Sequence, residues 1–553
     1  MKGAIDAWRR VLRADQVDDS EPTLSRYSRS SQPQGTRPCC VLYPTCTDEV
    51  RGIVRIASER EVVVYPISRG KNWGYGDACA PVEGAAIMDL SRMNRIVEVN
   101  TELAYAVIEP GVSQGQLFDY LQEQKTGLWM DCTGAGLDAS LVGNTLDRGF
   151  GHTRYGDHFL TSCGMEVVLA DGRVVRTGFG HYPNAKAGSV YPYGVGPYLD
   201  GLFCQSNYGI VTQLGLWLMP KPEAFCFFYV TVDRDEDIAA MVDALRPLRM
   251  AGILPAALHI GNDLRIFSSR GTYPWKETGG VTPLPESERV RLRKALGIGA
   301  WNVGSALTGT HAHVRASCAA VRKAVRGLGK LTFVSDRKMD LIRWAVPRLN
   351  RMGLAKRPGE LLESLETLFA TLKGKPTNQA LRGTHWRLRR APAEDSDDPL
   401  EVGGGLMWVS PVLPMTGRDA LRVMAIVEPI FGRHHFEPLA TFTMINERAM
   451  IAILNVAFDK AEAEESAAAV RCYHDLVDAL MAEGYVLYRS GLSGLPKLAD
   501  EGDPFWQVAS EIKRTLDPKD IISRGRYIPP LRRAEHDLLG DGGLKRAATP
   551  RTD

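Results

Sequence analysis

The chain has no excess of either charge: 67 Lys and Arg stand against 65 Asp and Glu among 553 residues, for a net charge of +2. Such a balance supplies no general attraction for nucleic acid or an anionic membrane surface, so neither is expected as a partner. No apolar run is long enough to span a bilayer. Residues 1–17 intersperse Trp8, Val11 and Leu12 with charged side chains and show neither the apolar core nor the small-residue cleavage site of an export signal. A cytoplasmic protein is the expectation. No two of the ten cysteines have C-x-x-C spacing, which argues against a zinc site or a disulfide framework. No metal is expected, and the thiols are expected to be free and mostly buried. A redox role for the adjacent Cys39 and Cys40 would need an electropositive, accessible setting that sequence does not show.

What is present is a globular composition, 44% hydrophobic and 24% charged, in a chain long enough for at least two cores. One stretch organises the rest. The apolar strand Val62-Val63-Val64-Tyr65 runs into Pro66-Ile67-Ser68-Arg69-Gly70-Lys71-Asn72-Trp73-Gly74-Tyr75-Gly76. A β-branched run ending in Ser, Asn and three glycines is a strand feeding a tight loop whose backbone N–H groups can point at an anion. Arg69 and Lys71 add positive charge, and Gly70, Gly74 and Gly76 permit close backbone approach. An ordinary glycine-rich turn has the same composition, so the loop alone does not decide.

Before this loop the pattern predicts an amphipathic helix over 4–12, a polar Ser-rich segment over 25–35 crossing the surface, and a capped helix from Thr47. The result is a β-α-β opening. After it come strands at 85–90, 96–99 and 105–111, a helix over 113–125, and a hairpin over 165–178 turning at Asp171-Gly172. Past Pro220-Lys221-Pro222 a second unit begins, with strands at 227–232 and 256–260 around a helix over 238–249. Strands at 405–412, 440–446 and 449–459 and helices over 417–431 and 461–483 form a second layer of helix on sheet. Residues 270–288 and 392–399 read as exposed connections. A last helix over 505–516 precedes Ile521-Ile522-Ser523-Arg524-Gly525-Arg526-Tyr527, and the chain beyond Pro530 reads as a loose tail.

Four further runs stand in a telling order: Gly143-Asn144-Thr145-Leu146-Asp147-Arg148-Gly149, then Tyr155-Gly156-Asp157-His158, then 164–172, then Ser206-Asn207-Tyr208-Gly209-Ile210-Val211-Thr212. With the glycine loop, they resemble the flavin-binding half of the vanillyl alcohol oxidase and 4-cresol dehydrogenase (p-cresol methylhydroxylase) family, over about residues 40–530. The resemblance implies an α+β, two-domain flavoprotein: an FAD-binding part over 1–222, an α/β substrate (cap) domain over 223–499, and a C-terminal return with tail over 500–553. FAD would be held by Ser68, Arg69, Gly70, Lys71, Asn72 and Gly74, by Gly143, Asn144, Thr145, Asp147, Arg148 and Gly149, by Gly209, Ile210 and Val211, and by Arg524. A homodimer is expected only because relatives form one.

Enzymes of this family bind a para-substituted phenol as phenolate, and the benzylic carbon gives hydride to the flavin, leaving a quinone methide. Lowering a phenol's pKa from near 10 needs donors and a fixed cation at the ring oxygen. The family uses two tyrosines and an arginine, which the resemblance places at Tyr75, Tyr488 and Arg489. Two departures follow. The position that often carries a covalent flavin link matches Leu406 or Met407, before Trp408-Val409-Ser410-Pro411, so noncovalent FAD is expected; His434 and His435 lie too far along. The family's acid near the flavin is missing from Asp131-Cys132-Thr133-Gly134-Ala135-Gly136-Leu137-Asp138, where Asp138 is either a replacement or a plain loop or capping residue. The expectation is a small aromatic substrate, with oxygen or an electron-carrier protein as acceptor. A tailoring enzyme acting on a larger ring, and a flavin-fold binding protein that has lost catalysis, remain the alternatives.

Overall fold

The computed structural model describes residues 2–351, 358–390 and 396–531. Its first sheet takes the order Val17–Asp18, Cys40–Leu42, Ala86–Asp89, Val64–Ile67, and the last three strands are parallel. The helix Thr47–Arg60 makes the crossover between two of them. It buries Val50, Ile53, Val54 and Ala57, an i, i+3, i+4, i+7 stripe that can face only one way. The chain leaves this helix through Glu61 in the left-handed conformation and enters the strand that feeds the glycine loop.

The second sheet is antiparallel, in the order Ile96–Asn100, Tyr105–Ile108, Ile210–Trp217, Ser162–Val168, Val174–Arg176. The hairpin read at 165–178 lies here, and Gly172 takes φ +81° in its turn. Such a φ is open to glycine and strained for a side chain.

The third sheet has eight strands. Along it run Lys330–Ser335, Ala224–Val232, Trp301–Gly309, Leu258–Asn262, Leu439–Met444, Ala449–Asp459 and Gly404–Val409, with Val412–Pro414 also paired to Ala449–Asp459. Period-two alternation gives it two unlike faces. Phe228, Val230, Leu258, Ile260, Met407, Val409, Phe442 and Leu454 point into a core shared with helices Ile238–Met250, Gly417–Arg433 and Ala463–Ala482. The residues between them, His259, Gly261, Thr441, Ile453, Leu406 and Trp408, occupy the other face, and all but Gly261 line a cavity.

The structure corrects three expectations. Residues 25–35 do not cross the surface: a helix Glu21–Tyr27 is followed by Ser30, Ser31 and Gln32, each almost wholly buried. They are polar because they satisfy buried partners, which composition cannot distinguish from solvent. The 270–288 connection is likewise anchored, since Tyr273 is buried, donates its hydroxyl to the Val281 carbonyl at 2.5 Å and packs edge-on against Trp386. Within 392–399, Asp398 caps a short helix, Pro399–Val402, while 392–395 lie outside the described residues, as does the tail from 532 onward. Among the described residues no helix is long and apolar enough to cross a membrane.

The C-terminal segment returns to the first sheet. Val64 donates its N–H to the Ile521 carbonyl at 2.8 Å and accepts from Ser523 at 2.9 Å, so the segment lies along the strand that precedes the glycine loop. Lys513, fully buried in helix Pro504–Leu516, fixes it by donating to Asp517 at 2.6 Å and to the carbonyls of Asn207 and Ile522 at 2.7 and 2.9 Å. Removing Asp517 leaves the buried Lys513 charge only the longer contact with Asp520, at 3.4 Å. The D517A variant is expected to lose about 3–5 kcal/mol of stability, read as a lower midpoint in urea; an unchanged midpoint would remove Lys513 from this role.

Candidate active site

A cavity of 520 Å³ opens between the glycine loop and the polar face of the eight-stranded sheet. The loop reverses through Gly70, Gly74 and Gly76 with φ of +65°, +74° and +118°. From Ser68 to Trp73 its backbone N–H groups donate to nothing among the described residues, and all six residues line the cavity. A row of free amides flanked by Arg69 and Lys71 is a site for an anion such as a pyrophosphate. Gly74 has a different role: its N–H donates to Ser31 Oγ at 2.8 Å, and a Cβ there would sit 2.4 Å from Trp408 Cδ1. That glycine admits an indole.

The cavity wall brings together Tyr75, Tyr488 and Arg489, and with them Gly143, Asn144, Asp147, Gly149, Gly209, Ile210 and Val211. Four other residues read from sequence as site residues fall elsewhere. Thr145 bonds back to the Leu141 carbonyl of its own helix at 2.8 Å, and Arg148 is exposed. The Asp138 side chain is 67% exposed and does not line the cavity; it pairs at 3.2 Å with Arg69, which does. Arg524 pairs with Asp520 at 3.2 Å, while Arg526 and Tyr527, two and three residues on, reach the wall. Side-chain direction in an irregular segment has no fixed period, so the sequence could name the segment but not the residue.

At the centre of the wall is Asp147. It accepts from Arg489 at 2.8 Å, from Arg526 at 3.0 Å and from the Tyr527 hydroxyl at 2.8 Å. Burial alone would raise its pKa, but the two guanidinium groups and Tyr527 outweigh burial and hold it down at about 2. Burial works against the charge on Arg489 and Arg526 too, yet Asp147 and the surrounding tyrosines keep both firmly protonated. One carboxylate between two guanidiniums leaves the cluster with net positive charge. Arg489 also donates to the Asn72 side chain, stacks 4.2 Å above the centre of the Tyr75 ring, and leaves its buried Nε without a partner. The Tyr75 hydroxyl lies 3.2 Å from Ser410 Oγ. Burial raises the pKa of Tyr75 and of Tyr488, so both phenols keep their protons.

Two histidines on the wall went unread in the sequence. His152 Nδ1 lies 3.0 Å from His259 Nε2, and His259 Nδ1 lies 2.9 Å from Thr443 Oγ1. Burial lowers both pKa values, that of His259 to about 3, so the pair is neutral at physiological pH. Alternation along Leu258–Asn262 was the available signal: His259 stands between two core residues and must face the other way. Nearby, Asp131 accepts the backbone N–H groups of His152 and Thr153, both at 3.1 Å, and meets His158 Nε2 at 3.0 Å, whose Nδ1 contacts Asn144 at 2.6 Å. Asp131 thus fixes the turn that presents His152. Leu406, on the wall, and Met407, in the core behind it, offer no nucleophile for a covalent cofactor bond. Among the described residues no cluster of three metal-ligating side chains occurs.

A sequence profile described as an FAD binding domain matches residues 38–178, which contain the glycine loop and Asp147. Over 95% of its length the chain is 36% identical to a 1'-carboxy-chondrochloren decarboxylase of Chondromyces crocatus, covering 97% of that protein. It is 33% identical to the flavoprotein subunit of a hydroxylating 4-cresol dehydrogenase of Pseudomonas putida, over 95% of this chain and 94% of the other. The crystal structure of p-cresol methylhydroxylase with substrate bound superposes with a TM-score of 0.86 at 32% identity, covering 96% of this chain and 97% of that one. The free amides of the loop and the cluster around Asp147 fit an FAD, whose phosphates the loop amides would hold.

Asp77, at the end of the loop, generates a pH prediction. It is buried and accepts from Ser30 Oγ at 2.8 Å and from Ser31 N at 2.5 Å. Burial outweighs these bonds and raises its pKa to about 6. Because the folded value exceeds the unfolded one, its contribution to stability is complete below about pH 4 and is lost as pH rises through 6. The D77N variant is expected to lack about 3 kcal/mol of the stability change that wild type shows over that window, measured by urea unfolding at each pH; parallel curves would refute it.

Proposed function

Because the chain belongs to the family of FAD-dependent oxidoreductases that includes the p-cresol methylhydroxylase flavoprotein, we propose that it oxidises the benzylic carbon of a para-substituted phenol, of the 4-alkylphenol or 4-hydroxybenzyl alcohol kind. The observation that carries this reading is the convergence of Tyr75, Tyr488 and Arg489 beside a net positive cluster on one cavity wall. FAD, when bound, accepts the hydride.

The chain's own residues do the rest. The hydroxyls of Tyr75 and Tyr488 donate to the substrate's ring oxygen, and Arg489, held by Asp147 and Asn72, places a fixed cation beside it. A phenol of ordinary pKa near 10 then binds as phenolate, because its negative charge completes the neutralisation of the cluster. Electron release from that oxygen weakens the benzylic C–H bond and leaves a quinone methide. His152 takes the acid/base role that Asp138 cannot fill. With His259 Nδ1 donating to Thr443 and His152 Nδ1 donating to His259, Nε2 of His152 remains an acceptor able to take a proton from water adding to the quinone methide. Oxygen or an electron-carrier protein is the terminal acceptor. One relative is named a decarboxylase and another a dehydrogenase; the present reading accommodates both if the side chain on the ring is the variable part of the substrate.

The yellow protein is expected to release its FAD on acid precipitation, since neither Leu406 nor Met407 can bond it, and to bleach anaerobically with 4-alkylphenols. Colour retained in the pellet would show a covalent link. In the same assay R489M is expected to slow bleaching about 100-fold or more and Y75F about 10-fold. Variants as fast as wild type would remove the phenolate clamp.

A further inference from the structure

Among the described residues, the lysines and arginines on the cavity wall are paired with carboxylates, with one exception. Arg69 pairs with Asp138, Lys71 with Asp398, and Arg489 and Arg526 with Asp147. Arg265 lines the same cavity and has no carboxylate partner among the described residues. Its guanidinium makes a single side-chain contact, from Nη1 to Ser268 Oγ at 3.3 Å. Burial lowers its pKa with no neighbouring charge to offset the effect, yet an arginine remains ionised in proteins. An unmatched cation held in a cavity is costly unless a ligand matches it.

The surroundings fix this cation in place. It stands on the short helix Asp263–Ser268, which Asn262 caps at the end of strand Leu258–Asn262. A Cβ on Gly383 would come within 2.8 Å of Nη1, so the absence of a side chain there leaves room for the end of the guanidinium. Thr441, on the cavity wall, adds a hydroxyl, whereas that of Thr384 already donates to the Leu381 carbonyl at 2.7 Å. The helix follows directly on a strand of the eight-stranded sheet, far in sequence from the loop amides that line the same cavity.

We propose that Arg265 binds a carboxylate on the substrate's side chain, so that the preferred substrates are 4-hydroxyphenyl compounds whose para substituent ends in an acid. This rests on the phenol reading above: the Arg489 side takes the ring oxygen and Arg265 the far anion, and the carbon between them is held for oxidation. A planar fork with free N–H groups suits a carboxylate in bidentate contact.

The test compares 4-hydroxyphenylacetic, 3-(4-hydroxyphenyl)propanoic and 4-(4-hydroxyphenyl)butanoic acids with 4-ethyl-, 4-propyl- and 4-butylphenol on the FAD-loaded enzyme, by anaerobic bleaching and by calorimetric binding. At least one acid is expected to exceed its uncharged counterpart about 10-fold in kcat/KM and in affinity. In R265Q that ratio is expected to fall below one, with R265K intermediate and FAD content equal to wild type. No preference for any acid, or a ratio unchanged in R265Q, overturns the proposal. Loss of FAD from R265Q and R265K would assign the guanidinium to the cofactor and also overturn it. If no phenol bleaches the enzyme, the oxidation reading fails, and calorimetry still decides the present one: acid binding that depends on Arg265 upholds it, and its absence overturns it.

Discussion

One buried carboxylate holds the site together. Asp147 ends the helix Leu141–Leu146 and reaches three parts of the chain far apart in sequence: Arg489 after the helix Ala463–Ala482, Arg526 and Tyr527 on the C-terminal return, and Asn72 in the glycine loop, whose side chain donates to it at 3.2 Å. A carboxylate at this depth is tolerable only because both oxygens are matched, and each guanidinium likewise depends on it. The contacts are therefore interdependent. The imbalance of charge left over makes this wall electropositive.

The eight-stranded sheet supplies the opposite wall through its alternation. Because one face is packed with aliphatic and aromatic side chains under three long helices, register cannot slip by one residue without burying His259 and Thr441 in the core. The polar face is thus fixed by the demands of the apolar one. Its residues, placed by the ladder to a fraction of a strand spacing, need only short side-chain contacts, such as those between His152, His259 and Thr443, to become a defined hydrogen-bonded chain.

Between the walls the N-terminal segment acts as a clasp. Ser31 touches both Gly74 and Asp77, and Lys460, from the sheet domain, donates to the carbonyls of Ser30 and of Gln32, the latter at 2.9 Å. The glycine loop is consequently held from behind by residues with no place in any nucleotide-binding pattern. The conformation of the loop is set as much by this clasp as by its glycines.

Much of this was legible beforehand. Periodicity placed the helix Thr47–Arg60, the strand before the loop and the paired layers of the sheet domain, because local preference and burial agree there and the side-chain period is fixed. Motif order identified the family and the loop, whose free amides follow from composition and backbone geometry. The sequence could not separate Arg526 from Arg524, or show that Asp138 is a surface residue, because irregular segments have no period from which direction can be read. Nor could it find Arg265, His152 or His259 as a group: each is ordinary in its own neighbourhood. Their meaning comes from what faces them across a cavity, and for Arg265 from a carboxylate that is not there, which only the packed chain could decide.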